Sequence, residues 1–145
     1  MIAVDTNVLV QAHRRDAPRH DGAVAAVAGL AQGSAPWAIP CHCLHEFFGV
    51  VTHPRVFDPP STVEEALGQI DAWMASPSVR LLAEEGSSYW QALREVLGSS
   101  RAVGAKVHDA RIAAACLCNG VRELWTADRD FSRFAGLAVR NPLLG

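Results

Sequence analysis

Met1-Ile2-Ala3-Val4-Asp5-Thr6-Asn7 opens the chain, a short apolar run that stops on an acid. Four apolar residues bounded by Asp-Thr-Asn read as a short buried strand followed by a turn. Open α/β sheets bind their ligands at the carboxyl ends of the strands, and Asp5 stands at such an end. Three more carboxylates fall in equivalent places. Glu46 lies in the helix after the apolar run Trp37-Ala38-Ile39, Asp109 in the first turns of a later helix, and Asp128 just after Leu124-Trp125-Thr126. In a parallel sheet these seams gather at one edge, so acids scattered over the whole chain meet in one pocket. Converging carboxylates repel one another and lose hydration unless a cation or shared protons compensate. A divalent metal is the economical explanation.

The pattern around these seams predicts the fold. Val8 to His13 reads as a short helix and Arg14 to Asp21 as a polar loop. Val24, Val27, Ala28, Leu30 and Ala31 recur at helical spacing up to Gly33. Pro40 stops the second strand, and Leu44, Phe47, Phe48 and Val51 mark an amphipathic helix running to His53-Pro54. Ser61-x-x-Glu64 and Thr62-x-x-Glu65 are alternative capping boxes for a helix with the stripe Val63, Ala66, Leu67, Ile70, Trp73 and Met74. Val79 to Leu82 is a third strand. Ser88-x-x-Gln91 opens a helix expected to bury Tyr89, Trp90, Leu93, Val96 and Leu97, and Gly98 to Gly104 is a basic loop. A helix over Val107 to Asn119, a strand over Leu124 to Thr126, a turn over Arg129 to Phe134 and a strand over Leu137 to Val139 complete the chain. Strands this short and apolar, alternating with helices, predict an α/β protein whose five-stranded parallel sheet is covered on both faces.

Composition narrows the class. The 145 residues suffice for one domain with its own core, and half of them are apolar against 19% charged. No stretch approaches the ~20 apolar residues of a membrane span. The amino terminus has no basic region and is interrupted by Asp5, unlike a secretory signal, so a cytoplasmic protein with no membrane partner is expected. The net charge of −2 places an acidic pocket on a mildly basic body, compatible with a nucleic-acid substrate without arguing for one. Cys41, Cys43, Cys116 and Cys118 form two C-x-C pairs in helical segments, where residues two apart face nearly opposite ways. That spacing departs from zinc sites, and buried apolar thiols are expected. His42 and His45 read as ordinary helix histidines.

Each acid alone has a plain structural explanation. Asp5 and Asp128 suit helix caps, Asp109 suits the positive end of a helix dipole, and Glu46 suits the edge of an apolar stripe. Taken together they are hard oxygen ligands suited to Mg²⁺ or Mn²⁺, with no Gly-rich phosphate loop in the chain. Such a set points to metal-assisted phosphodiester hydrolysis.

Ile2 to Val10, the helix carrying Glu46, Val107-His108-Asp109-Ala110-Arg111-Ile112-Ala113 and Leu124-Trp125-Thr126-Ala127-Asp128-Arg129-Asp130-Phe131 resemble a PIN domain. The resemblance is closest to the VapC toxins of bacterial type II toxin–antitoxin systems and spans residues 1–145. His53-Pro54-Arg55-Val56-Phe57, Phe134-Ala135-Gly136-Leu137 and Asn141-Pro142 extend it. It implies a three-layer α/β/α fold and an Mg²⁺-dependent endoribonuclease, with Mn²⁺ as a substitute. A homodimer and a small VapB-like antitoxin that blocks the cleft are implied as well. Carried over by position, Asp5 and Asp109 would be metal ligands, with Glu46 and Asp128 completing the catalytic set. Asn7 and Thr126 would support them, and Asp130 is an adjacent acid. Arg101, Lys106, Arg111 and Arg129 are placed to meet RNA phosphates. A phosphotransferase using Asp5 as nucleophile would want an acid two residues on, where Asn7 stands. A housekeeping PIN nuclease in RNA maturation and a non-catalytic binding module using the same cleft remain open.

Overall fold

The computed structural model describes residues 1–144. Its five strands are all parallel and lie in the order β3-β2-β1-β4-β5. They are β1 (Ile2–Val4), β2 (Trp37–Pro40), β3 (Val79–Leu82), β4 (Glu123–Trp125) and β5 (Ala138–Arg140). The opening run of the chain is the central strand. Ile2 pairs in register with both Trp37 and Glu123, and Val4 with Trp125, so Asp5 and Thr126 leave the sheet side by side.

Six helices cover the sheet: α1 (Thr6–His13), α2 (His20–Gln32), α3 (Cys41–Val51), α4 (Val63–Met74), α5 (Gly86–Ser100) and α6 (Val107–Cys118). α5 packs on α6, and α1 packs on α2 and α3. α6 is buried over Ala110 and Ile112–Cys116, a run of small residues that lets the helix approach its neighbours closely. Trp37, Ile39, Leu9, Phe47 and Phe131 are fully buried, and Trp73 meets the Phe47 ring edge-on at 4.8 Å. Among the described residues no helix is long and apolar enough to cross a membrane.

Several local expectations are corrected. Asp5 caps α1, which therefore starts two residues earlier than Val8. α2 starts at His20, and Gly33 closes it with φ −77°, so no left-handed glycine is needed there. Pro40 belongs to β2 instead of ending the strand before it. The capping box is Thr62 with Glu65. On α4 only Ala66 and Trp73 are buried, while Val63 and Leu67 stay 51% and 48% exposed. α5 begins at Gly86, whose φ of +86° suits the bend out of β3, and it continues to Ser100, so Gly98, Ser99 and Ser100 of the supposed Gly98–Gly104 loop are helix. Arg101 turns the chain at φ +59°. Trp90, expected in the core, is 55% exposed. The edge strands also have wet positions, Arg80 and Leu81 in β3 and Ala138 and Arg140 in β5, because a sheet edge has a neighbour on one side only.

Candidate active site

The site starts from Asp5, which does two jobs at once. Its Oδ1 accepts the Thr6 amide at 2.7 Å and caps α1, the ordinary role of an isolated Asp before a helix. Its Oδ2 accepts the Thr126 hydroxyl at 2.7 Å and the Asn7 amide at 3.1 Å, while the Cys43 thiol approaches Oδ1 at 3.5 Å. The residue is 4% exposed, and among the described residues it makes no ion pair. Burial lifts its pKa from 3.8 to about 6; the Thr126, Thr6 and Cys43 donors oppose that rise and nearby Glu46 adds to it.

Asn7 ties the ends of β1 and β4 together. Its amide nitrogen donates to Asp5 Oδ2 and to Thr126 Oγ1 at 2.9 Å, and its oxygen accepts the Ala127 amide at 2.9 Å. Thr126 Oγ1 also accepts the Asp128 amide at 3.0 Å. Asp128 in turn caps the 3-10 turn Arg129–Arg133 by accepting the Asp130 amide at 2.9 Å. Asn7 and Thr126 thus both spend their polar groups on holding the two loops in register.

Glu46 enters from α3 with Oε1 accepting the Thr6 hydroxyl at 3.0 Å. Asp109 comes from the first turn of α6. Its pKa is raised, by burial first and by the charge of Asp128 second, with Lys106 opposing. Asp5, Glu46, Asp109 and Asp128 all line one cleft of about 410 Å³, whose other walls are the apolar side chains of Val10, Val50, Val56, Phe57, Ile112 and Phe131. Asp130 lies at its rim, paired with Lys106, whose ammonium also stands 3.7 Å from Asp109 Oδ2.

The basic candidates divide. Lys106 reaches the acids. Arg111 is engaged by Glu84, 2.9 Å from its Nε, and by His108, 3.1 Å from Nη1. Arg101 and Arg129 are exposed and outside the cleft lining. A polar cluster the sequence did not reveal links Arg111 to the acids. His42, expected to be an ordinary helix residue, stacks flat on His108 at 5.3 Å and lies 3.3 Å from Glu46 Oε1. Burial lowers the His42 pKa. Tyr89 donates to Glu84 Oε2 at 3.3 Å. His42 and Glu46 share one face of α3 at i, i+4 spacing, a clue in the sequence; the pairings with His108, Arg111 and Glu84 cross elements and left none.

The donor set fits a hard divalent cation in kind, because its oxygens are carboxylates left without matching positive charge. Among the described residues no three acid, histidine or cysteine side chains close around a single point. An ion here would take Asp5 and Asp109 and complete its shell with water, as Mg²⁺ commonly does. The cysteines are free thiols; Cys43 and Cys116 are buried.

The sequence profile of the PIN domain matches residues 2–137. Ribonuclease VapC43 of Mycobacterium tuberculosis is 38% identical over 145 residues, covering all of this chain and 97% of that protein. The chain belongs to the PIN-domain family, in its VapC branch. The crystal structure of VapC20 from Mycobacterium tuberculosis, described as a toxin cleaving the sarcin–ricin loop, superposes on this PIN domain with a TM-score of 0.68 at 20% identity, covering 97% and 100% of the two chains. VapBC2 of Rickettsia felis, solved bound to a promoter DNA fragment, gives a TM-score of 0.65 at 22% identity over 97% and 98%. At those identities the two structures speak for the fold, and the fold is that of PIN domains.

Proposed function

We propose that this PIN domain is a metal-dependent endoribonuclease, the toxin of a VapBC-type pair, working in the cytoplasm where RNA is accessible. The observation that carries the reading is the meeting of Asp5, Glu46, Asp109 and Asp128 in one cleft, with Asp5 buried and uncompensated. The VapC43 relationship supports RNA as the substrate. Asp5 and Asp109 would hold Mg²⁺ or Mn²⁺, which would supply Lewis acidity for the attack of water on a phosphodiester. Glu46, fixed by the Thr6 hydroxyl, and Asp128, fixed by its own capping bond, would orient that water. Asn7 and Thr126 keep Asp5 aimed without reacting, and Lys106 would meet the phosphate charge that the acids otherwise repel.

The apolar wall beside the acids suits a partner segment with basic and apolar side chains, which is how a VapB-like antitoxin would block the cleft; the VapBC2 complex supports such a partner. Val63 and Leu67, left exposed on α4, support a homodimer contact there. The test is cleavage of an RNA pool by purified protein with Mg²⁺ or Mn²⁺. Asp109→Asn is expected to abolish cleavage by at least 100-fold, as is excess EDTA. Cleavage that persists under either condition refutes the metal assignment.

A further inference from the structure

A cavity larger than the acidic cleft opens at the carboxyl end of α1, about 820 Å³ in volume. The two hollows share a wall. Phe57 lines the cleft, and the Arg14 guanidinium, which lines the cavity, lies over the Phe57 ring at 4.3 Å. From Thr6 in the cleft to Arg14 is eight residues of helix, ~12 Å. That distance is covered by about three nucleotides of stacked strand, fewer if the strand is extended.

The polar walls of this cavity are held in place. His13 is fixed at both ring nitrogens, by Gln69 Oε1 at 3.1 Å and Ser61 Oγ at 2.9 Å. Arg14 spends three of its five N–H groups, two on Asp16 and one on Ser61. Among the described residues the remaining groups have no protein partner: two N–H of Arg14, the whole Arg15 guanidinium, the Gln69 amide nitrogen and one oxygen of Glu65, whose other oxygen accepts the Thr62 amide. Fixed side chains at His13 and Arg14, set beside unspent donors and an unspent acceptor, are what a polar recognition site presents.

The mixture of charges selects the ligand class. A bare phosphate would meet repulsion from Glu65 and Asp16. A nucleobase edge, with donors beside acceptors, uses both kinds of group: carboxylates accept from base amino groups, and arginines donate to guanine O6 and N7. Uracil has no amino group to offer. We infer that the cavity is a nucleotide subsite that reads one amino-bearing base, guanine above the others, in the RNA strand leaving the acidic cleft. The inference rests on RNA being the substrate of that cleft.

Two variants test it. Arg15→Gln removes an unpaired charge, and Glu65→Gln removes the carboxylate while preserving the capping box, which accepts Gln at that position. Sequencing the cut ends of a randomised RNA pool is expected to show guanine enriched at one fixed position within four nucleotides of the cut. Both variants should lower that enrichment at least fivefold with unchanged melting temperature. A uniform loss of cutting with the same base profile, or no base preference within four nucleotides in the parent protein, overturns the subsite. Titration of Asp109→Asn protein with GMP and UMP, followed by NMR, reads the cavity without cleavage. Shifts at Gln69 and Arg15 with GMP but not UMP, lost in Glu65→Gln, uphold the subsite even if no RNA is cut, in which case only the cleft reading fails. Equal response to both nucleotides overturns the subsite.

Discussion

Replacing Asp5 by Asn should make the metal-free protein more stable relative to the parent as pH rises, although the substitution disturbs a hydrogen-bonded network. Burial moves the Asp5 carboxyl from 3.8 to about 6 because donors from Thr126, Thr6 and Cys43 only partly replace water. Between those values the native protein keeps a proton that the unfolded chain releases. The native state therefore has its full stability below 3.8, loses it as pH climbs through about 6, and is level above that. At 1.36 kcal/mol per pH unit, ionised Asp5 costs the fold ~3 kcal/mol by neutral pH. The amide does not titrate, so subtracting parent from variant removes the other ionisable groups in the protein. What the amide loses by facing the Asn7 or Thr126 donors is a constant offset of about 1 kcal/mol per bond, the same at every pH. For a chain of this size 1 kcal/mol corresponds to about 2–4 °C, so the difference in melting temperature should swing by about 6–12 °C in favour of the Asp5→Asn variant between pH 4 and pH 7.5. Calorimetric and urea melts in EDTA measure it. A difference that is flat across that range refutes the uncompensated buried carboxylate, and with it the physical reason for placing a cation there. Saturating Mg²⁺ should then restore the parent protein and leave Asp5→Asn unmoved.

Lys106 holds the place of a counter-ion among the acids, so Lys106→Gln is expected to tighten Mg²⁺ binding severalfold by calorimetry while raising KM for RNA; weaker metal binding would show that Lys106 organises the acids instead of competing for them. Val63→Asp combined with Leu67→Asp should shift a dimer to monomer in light scattering with little change in melting temperature, because both side chains are about half exposed already. An unchanged mass would place any dimer contact elsewhere.

The sheet was legible because its signal is local: each strand is three or four residues built on a short apolar stretch, and strands that short are read from composition and the turn residues after them. The acids were legible through topology, since four positions after strands and at helix starts can only converge if the sheet is parallel. Asp5 both caps a helix and lines the cleft, so the isolated residue could not decide between a structural and a functional reading. The Val63–Leu67 half of the α4 stripe and Trp90 on α5 misled for one reason. Helical periodicity marks an apolar face but does not say whether this chain or another covers it. The start of α5 was missed because no side chain caps it; the bend at Gly86 does that work. The His42–His108 stack and the His13–Ser61–Gln69 network were invisible for a different reason. Their partners are 48 to 66 residues apart, and neither carries a spacing that a single sequence can show.

The bonds that Asn7 makes to Thr126 and Ala127 join residues 119 and 120 positions apart. Order of synthesis therefore matters. The central strand and Asp5 leave the ribosome well before β4, which flanks that strand and leads into the Asp128 loop. A growing chain that has passed β1 holds Asp5 without its clamp and lacks Asp128 altogether, so the cleft is completed only once β4 and the Asp128 loop have followed. For a protein proposed to cut RNA, made by a machine that is itself largely RNA, this delays a finished blade well beyond the making of its first acid.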